Sequence, residues 1–158
     1  VYENTYGAAT YNAFTQTTIA AIRNILPEGR VIDYGAGTGR LAIPLKQFGY
    51  DVTAVEISSQ MARVLEEKAL ALNLDIPIHA CSISEFNGEP ADLALCVFTV
   101  LSYNTTEDAI KAADWAGVRH LSMQWTGKLL TPHYAASRRC TNNGWPRKAL
   151  VSAGHNQW

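Results

Sequence analysis

Residues 30–40 read RVIDYGAGTGR, and this stretch decides how the rest of the sequence is interpreted. It begins with β-branched residues, which favour a strand, and continues into a turn with three glycines in five positions. Apolar residues follow, and we expect them to form a helix that ends at Gly49. A strand that enters a helix through a glycine-rich turn is typical of ligand-binding α/β folds.

The sequence on either side of this stretch predicts alternating helices and strands. Helices are expected at residues 8–26, about 60–72 and about 105–116, and strands at 51–56, 76–80, 91–98 and around 119–125. The strand at 91–98 is almost wholly apolar, as expected for a strand buried on both faces of a parallel sheet. We therefore predict an α/β fold: a doubly wound, mostly parallel, Rossmann-like sheet of about four to five strands with helices on both faces.

The overall composition is that of a globular domain. The chain has 158 residues, of which 47% are hydrophobic and 17% charged, with a net charge of -1, and this argues against intrinsic disorder. No apolar run approaches the ~20 residues of a membrane-spanning helix. The three cysteines form no CxxC pair and the four histidines show no metal-ligand spacing. We therefore expect no disulfide framework, no metal site and no membrane association, and a cytoplasmic location.

The spacing of the three glycines separates the candidate ligands. Dinucleotide-binding loops have the pattern GxGxxG, but here the third glycine is Gly39, and Arg40 occupies the position that this pattern requires. The phosphate-loop ending Gly-Lys-Ser/Thr is also absent. A glycine-rich backbone suits a ligand that carries no phosphate, and the carboxylate of Glu56, at the end of the second strand, suits a vicinal diol. The loop and Glu56 together favour a nucleoside.

At these residues the chain resembles the class I S-adenosylmethionine (SAM)-dependent methyltransferases, over about residues 30–115. The first motif of that family, an acidic residue followed by GxGxG, matches VIDYGAGTGRLAIPL, and the resemblance extends to Glu56 and to the apolar strand DLALCVFTVLSY. It implies that Glu56 holds the ribose hydroxyls of SAM, that Asp33 organises the loop near the amino group, and that the glycines let the cofactor lie against the backbone. The implied cofactor-binding residues are Asp33, Gly35, Gly37, Gly39, Glu56, Ile57, Ser82, Ile83 and Phe98.

Two stretches depart from the family's pattern. After the third strand the family commonly has an acid for the adenine amino group, whereas this sequence has Ser82, and we expect its hydroxyl and the Ile83 backbone to contact the adenine. Glu85 nearby is expected to cap a turn or face solvent. Nothing after Asp114 looks like the family's usual last strands, so we expect the sheet to lack them and to expose an apolar edge that pairs in a homodimer.

The second departure coincides with an abrupt change in charge. All 14 acidic residues precede residue 115, whereas residues 115–158 carry six basic residues and all four tryptophans. We expect a SAM-binding methyltransferase-like domain over residues 1–116, with an N-terminal helical cap over 1–29, and an atypical C-terminal segment over 117–158 that is not a separate domain. Three alternatives remain for this C-terminal segment: a frame-shifted coding sequence, a tail that binds nucleic acid, or a solvated surface segment. Its basic residues are scattered along the chain, which disfavours nucleic-acid binding.

The resemblance implies methyl transfer from SAM, with S-adenosylhomocysteine as product. The transfer is a direct displacement that needs alignment more than a strong base, so no catalytic residue is assigned. Tyr6 and Tyr11 are candidates for a lid over the methyl group, and Phe98, Tyr103 and Asn104 for the wall of a substrate pocket.

The sequence lacks the Asn/Asp-Pro-Pro-Tyr/Phe and Pro-Cys motifs of DNA methyltransferases, which leaves an O, N or S atom of a small molecule as the expected acceptor. Two alternatives stay open. One is a truncated methyltransferase-like fold that binds SAM or a nucleoside without catalysis. The other is a nucleotide-dependent oxidoreductase, which Arg40 disfavours.

Overall fold

The structure is a computed structural model, and it describes residues 8–97, 100, 120–124 and 150–151. Helices and strands alternate along these residues. Their bounds are α1 Ala8–Ile25, β1 Arg30–Tyr34, α2 Ala42–Gln47, β2 Asp51–Val55, α3 Ser59–Ala71, β3 Ile78–His79, β4 Leu93–Val97, β5 His120–Gln124 and β6 Leu150–Val151. No described helix has the length and apolar character that crossing a membrane requires.

The strands form one sheet in the order β3-β2-β1-β4-β5-β6, and each neighbouring pair is parallel. From β1 the chain builds the sheet outward to β2 and β3 on one side, and then returns to add β4 on the other. The order therefore reverses between β1 and β4, and in open α/β sheets ligands bind at the carboxyl ends of the strands at such a point. The predicted doubly wound parallel sheet is confirmed.

The number of strands is corrected from about four to five to six. β5 confirms the strand predicted around residues 119–125, and it pairs with β4 along its whole length, from His120 opposite Leu93 to Gln124 opposite Val97. β6 pairs with two residues of β5. Residues 126–158 contain no run that predicts a strand, so β6 was missed from the sequence. It belongs to the segment for which we expected the family's last strands to be lacking.

All three described helices pack on the same face of the sheet. Ile22 of α1, Leu45 of α2 and Leu65 of α3 share one hydrophobic cluster with Val31 and Leu95 of the strands, and none of these side chains is more than 1% exposed. Burial of such a side chain contributes about 1.5–3 kcal/mol. This shared core fixes the helices around the carboxyl end of β1.

The opposite face of the sheet is covered by the segment before β4. Ile32 and Tyr34 of β1 pack there with Phe86, and the Tyr34 and Phe86 rings meet edge to face with centroids 5.9 Å apart. The helix predicted at about residues 105–116 lies outside the described residues. Of the helices predicted on both faces, the described ones, α1, α2 and α3, all lie on the first face.

We expect Gly39→Ala to lower the free energy of unfolding by about 2–4 kcal/mol. Gly39 has φ +88°, where an L side chain is strained by about 1–2 kcal/mol, and a Cβ there would collide with the side chains of Ile43 and Leu65. Gly49→Ala is the matched control, because Gly49 has φ +92° but open space around its α-carbon. Urea denaturation should show the larger loss for Gly39→Ala; equal losses would contradict the packing role of Gly39.

Candidate functional site

The glycine loop, residues 35–39, lies at the carboxyl end of β1, where the strand order reverses. The backbone N–H groups of Gly35 and Ala36 donate hydrogen bonds to the carbonyl of Val55, at 2.8 and 3.2 Å, and so attach the loop to the end of β2. Because Glu56 directly follows Val55, this attachment brings the second-strand acid to the loop. The sequence placed these two features near each other, and the structure joins them.

The Glu56 carboxylate is held at both of its oxygens by backbone donors. Oε2 accepts a hydrogen bond from the Gly37 N–H at 2.7 Å, and Oε1 accepts one from the Ser58 N–H at 2.8 Å. The residue is buried, with 6% of its surface exposed, and its own N–H donates to the His79 carbonyl of β3 at 3.0 Å. The carboxylate thus has a fixed orientation toward the loop before any ligand arrives.

Asp33 is a second buried acid beside the loop. Only 3% of its surface is exposed, and burial raises the pKa of its carboxyl from 3.8 to about 7. The nearby Arg40 charge and a hydrogen bond from the Ala42 N–H oppose this rise, whereas the Glu56 charge adds to it. At neutral pH the site therefore holds one acid that changes protonation state readily.

The three loop glycines lie in different surroundings. A Cβ at Gly35 would collide with the Val100 side chain, and one at Gly39 with side chains of the helices. At Gly37 the nearest neighbour of such a Cβ is the Gly35 carbonyl oxygen at 4.0 Å, so the space there is open. Protein packing explains two of the three glycines, and Gly37 is the one beside which a ligand has room.

From the sequence, Arg40 was identified only as the residue that occupies the position of the third glycine in a dinucleotide-binding loop. In the structure its guanidinium Nη1 donates a hydrogen bond to the Thr15 hydroxyl of α1 at 3.1 Å, and its charge faces Asp33. The sequence showed a basic residue directly after the loop, with Asp33 and Glu56 expected near that loop. It did not indicate that this residue would contact Thr15 on α1.

The predicted adenine-side residues lie in distinct environments. Ile57, next to Glu56, is 70% exposed, which is unusual for a large apolar side chain beside a buried acid. Ser82 and Glu85 cap their own turn: the Ser82 N–H and hydroxyl lie 3.0 and 2.8 Å from Glu85 Oε2, and the Glu85 N–H donates to Ser82 Oγ at 3.3 Å. These hydrogen bonds hold the pKa of Glu85 below its usual value. The Ile83 side chain is buried in the core, which leaves its backbone for ligand contact.

Several predicted site residues lie outside the described part of the chain. Tyr6, Phe98, Tyr103 and Asn104 are among them, and Tyr11 lies in α1 with its side chain outside the description. Within the described ranges no cluster of three His, Cys, Asp or Glu residues has a metal-binding arrangement.

A cleft of about 680 Å³ lies at the opposite ends of the strands and is less suited to a ligand. Three of its four charged side chains, Arg30, Asp51 and Asp92, already make polar contacts within the protein. The Arg30 guanidinium contacts Asp51 at 2.9 Å, and the Arg30 N–H donates to Asp92 at 3.0 Å. The glycine loop is therefore the candidate site.

Comparison with known proteins agrees with this choice. A family model described as a methyltransferase domain matches residues 31–119, more than half of the chain. The chain belongs to this methyltransferase family. The resemblance inferred from the loop and Glu56 is thereby confirmed. The residues matched by the family model include both the loop and Glu56.

Individual relatives match about 70% of the chain. The Bacillus subtilis (strain 168) protein named "Putative methyltransferase YqeM" is 27% identical over 114 residues, which cover 70% of this chain and 44% of YqeM. Magnesium protoporphyrin IX methyltransferase (ChlM) from Synechocystis PCC 6803, crystallised with bound SAM, is 26% identical with a TM-score of 0.53, over 69% of this chain and 52% of ChlM.

The PH0226 protein of Pyrococcus horikoshii OT3 is 17% identical with a TM-score of 0.59, over 68% of this chain and 48% of its own, and shows the fold alone. The chain spans about half the length of the relatives it matches.

We expect the stability of the ligand-free protein to fall as pH rises from about 4 to about 7, because of Asp33. The folded pKa is raised above the ordinary value, so the folded state binds more protons in this window and unfolding becomes easier as they leave. Asp33→Asn should remove this contribution and flatten the pH dependence, since the amide oxygen can still accept from the Ala42 N–H. Urea unfolding across this window, from about pH 4 to about pH 7, measures this, with Asp75→Asn as an exposed control. Equal slopes for Asp33→Asn and the parent protein would contradict the assignment.

Proposed function

We propose that this chain is the cofactor-binding part of a SAM-dependent methyltransferase, in which Glu56 holds the ribose of SAM. The observation that carries the proposal is the fixed orientation of the Glu56 carboxylate, with one oxygen bonded to the Gly37 N–H and the other to the Ser58 N–H. Each carboxylate oxygen has two lone pairs, so one on each oxygen stays open. Two such acceptors side by side match the two hydroxyls of a ribose.

The surroundings of Glu56 support a nucleoside ligand. The open space at Gly37 allows a ligand to approach the backbone, and any side chain there would fill that space. The exposed Ile57 offers an apolar surface that a flat base would remove from water. Asp33 supplies a negative charge for an amino group when it is ionised. The acceptor oxygens of Glu56, the space at Gly37 and the charge of Asp33 therefore fit SAM.

When bound, SAM supplies a methyl group on a positively charged sulfur. The contribution of this chain is to fix the cofactor: Glu56 orients the sugar, the backbone at Gly37 lies beside it, and Asp33 attracts the amino group. Because reaction by direct displacement depends on alignment, a rigid grip on the non-reacting parts of the cofactor is what the site has to provide.

We propose a small molecule with an O, N or S nucleophile as the methyl acceptor. ChlM, at 26% identity, is named for such an acceptor, magnesium protoporphyrin IX. The residues proposed to enclose the acceptor and exclude water are Tyr6, Tyr11, Phe98, Tyr103 and Asn104. A methyl-transfer assay with bound SAM separates turnover from the alternative of binding without catalysis.

We also propose a cytoplasmic location and a homodimer. Cys81 and Cys96 are free thiols, which fits a reducing compartment. The apolar edge expected beyond β4 or β5 is partly covered, since β5 pairs with β4 and β6 pairs with two residues of β5. Within the described residues β6 pairs only with Ser122 and Met123, and we propose that this side of the sheet meets a second copy.

We expect light scattering to give twice the chain mass of 17.3 kDa for the purified protein, because an unpaired strand edge favours pairing with another chain. A monomeric mass for the parent protein at micromolar concentration would contradict the dimer.

We expect Glu56→Ala to weaken SAM binding by about 1–3 kcal/mol, because the ribose hydroxyls lose their acceptor. Glu56→Gln should be nearly as damaging: both carboxylate oxygens accept from backbone N–H groups, so the amide nitrogen would face a donor at Gly37 or Ser58. Titration calorimetry measures both, with the exposed Glu66→Gln as a matched control.

The same calorimetry tests the choice of ligand. The parent protein should give heat with SAM and S-adenosylhomocysteine and none with NAD. Heat with NAD alone would favour the oxidoreductase, and unchanged SAM affinity in both Glu56 variants would remove Glu56 from the site.

A further inference from the structure

Arg40 connects two parts of the molecule that are far apart in the sequence. Its guanidinium donates to the Thr15 hydroxyl on α1 at 3.1 Å, across 25 residues. The same charge lies close enough to Asp33, at the end of β1, to act on its carboxyl. Arg40 also directly follows Gly39, so its backbone belongs to the end of the glycine loop.

We propose that Arg40 is a positioning residue for the cofactor, which ties α1 to the glycine loop and holds a positive charge against Asp33. This inference rests on the proposed function, because it concerns how the same site takes up SAM. Arg40 acts through α1 and through Asp33.

The first part of the inference concerns the attachment of α1. Ile19 and Ile22, in the second half of α1, are buried in the core and hold that half on the sheet. Thr15 lies earlier in the helix, and its hydrogen bond to Arg40 fixes that portion to the loop. Loss of the Arg40 guanidinium therefore loosens this earlier portion of α1.

The second part concerns the charge of Asp33. The groups that face it are Arg40, which lowers its pKa, Glu56, which raises it, and the Ala42 N–H, which lowers it. Cys96 on β4 is also a neighbour, but burial and Asp33 raise the pKa of its thiol to about 12, so it stays uncharged at neutral pH.

Burial raises the pKa of Asp33 to about 7, and the Arg40 charge opposes this rise and so favours the ionised carboxylate near neutrality. Without that charge, Asp33 remains protonated to a higher pH. A protonated Asp33 attracts the SAM amino group less.

Calorimetry with SAM from pH 6 to pH 9 tests this second part. The affinity of the parent protein should rise with pH as Asp33 ionises, up to about pH 7.5, above which the amino group of SAM begins to lose its own proton. In Arg40→Gln we expect the affinity for SAM to be about tenfold lower at pH 7 and its increase with pH to occur at higher pH. The reason is that the positive charge acting on Asp33 is lost. Arg40→Lys should keep most of the parent's pH profile, and Arg63→Gln, which removes an exposed cation of α3, should keep all of it. The same ligand is used throughout, so titration of its own amino group is common to all variants.

Hydrogen exchange of the ligand-free protein tests the first part. Arg40→Gln and Thr15→Val should both speed exchange of α1 amides, by roughly fivefold for one lost hydrogen bond, and Thr15→Val should keep the parent's pH profile of SAM binding. If the parent protein binds SAM but Arg40→Gln has the parent's α1 exchange and an unshifted pH profile, the role of Arg40 is overturned and the proposed function stands. If the parent protein does not bind SAM, both are overturned.

Discussion

The hydrogen bond from the Gly37 N–H to the Glu56 carboxylate is the contact on which the site depends. It joins the loop after β1 to the residue after β2, and its 2.7 Å length is typical of a bond to a charged acceptor. The parallel pairing of β1 with β2 makes it possible, because that register brings Tyr34 opposite Val55 and so places the loop beside Glu56. The geometry of the candidate site is thus a consequence of the sheet.

The site places two acids, Asp33 and Glu56, in a buried region, and the Arg40 charge acts on Asp33. Burying a carboxylate is unfavourable unless it is hydrogen-bonded or paired, and Glu56 meets this condition through two backbone donors. Asp33 meets it less well, and its raised pKa shows the remaining unfavourable energy. Such a cost is tolerated where function requires charge, and a cationic cofactor would relieve it on binding. Arg40 relieves part of it in the absence of ligand.

Features with strong local patterns could be predicted from the sequence. Three such features are the glycine loop, the buried strand β4 and the proximity of Glu56 to the loop. Each follows from a combination of residue types that is consistent with few other local structures. The start of α3 was predicted to within one residue, because Ser58 supplies the expected cap, accepting from the Met61 N–H at 3.4 Å.

Features that depend on tertiary contacts could not be predicted. The two-residue strand β6 has no pattern of its own and exists through pairing with β5. The collision that explains Gly35 involves Val100, a residue distant in sequence, so the loop spacing alone attributes all three glycines to the ligand. The Arg40 bond to Thr15 likewise joins elements whose relative placement only the folded core defines.

A crystal structure of the chain with S-adenosylhomocysteine tests the central claim most directly. We expect both ribose hydroxyls within about 2.5–2.8 Å of the two Glu56 oxygens, with the Gly37 and Ser58 donors still in place. A ribose bound away from Glu56, or a Glu56 carboxylate that has left the Gly37 N–H to meet the ligand, would contradict it.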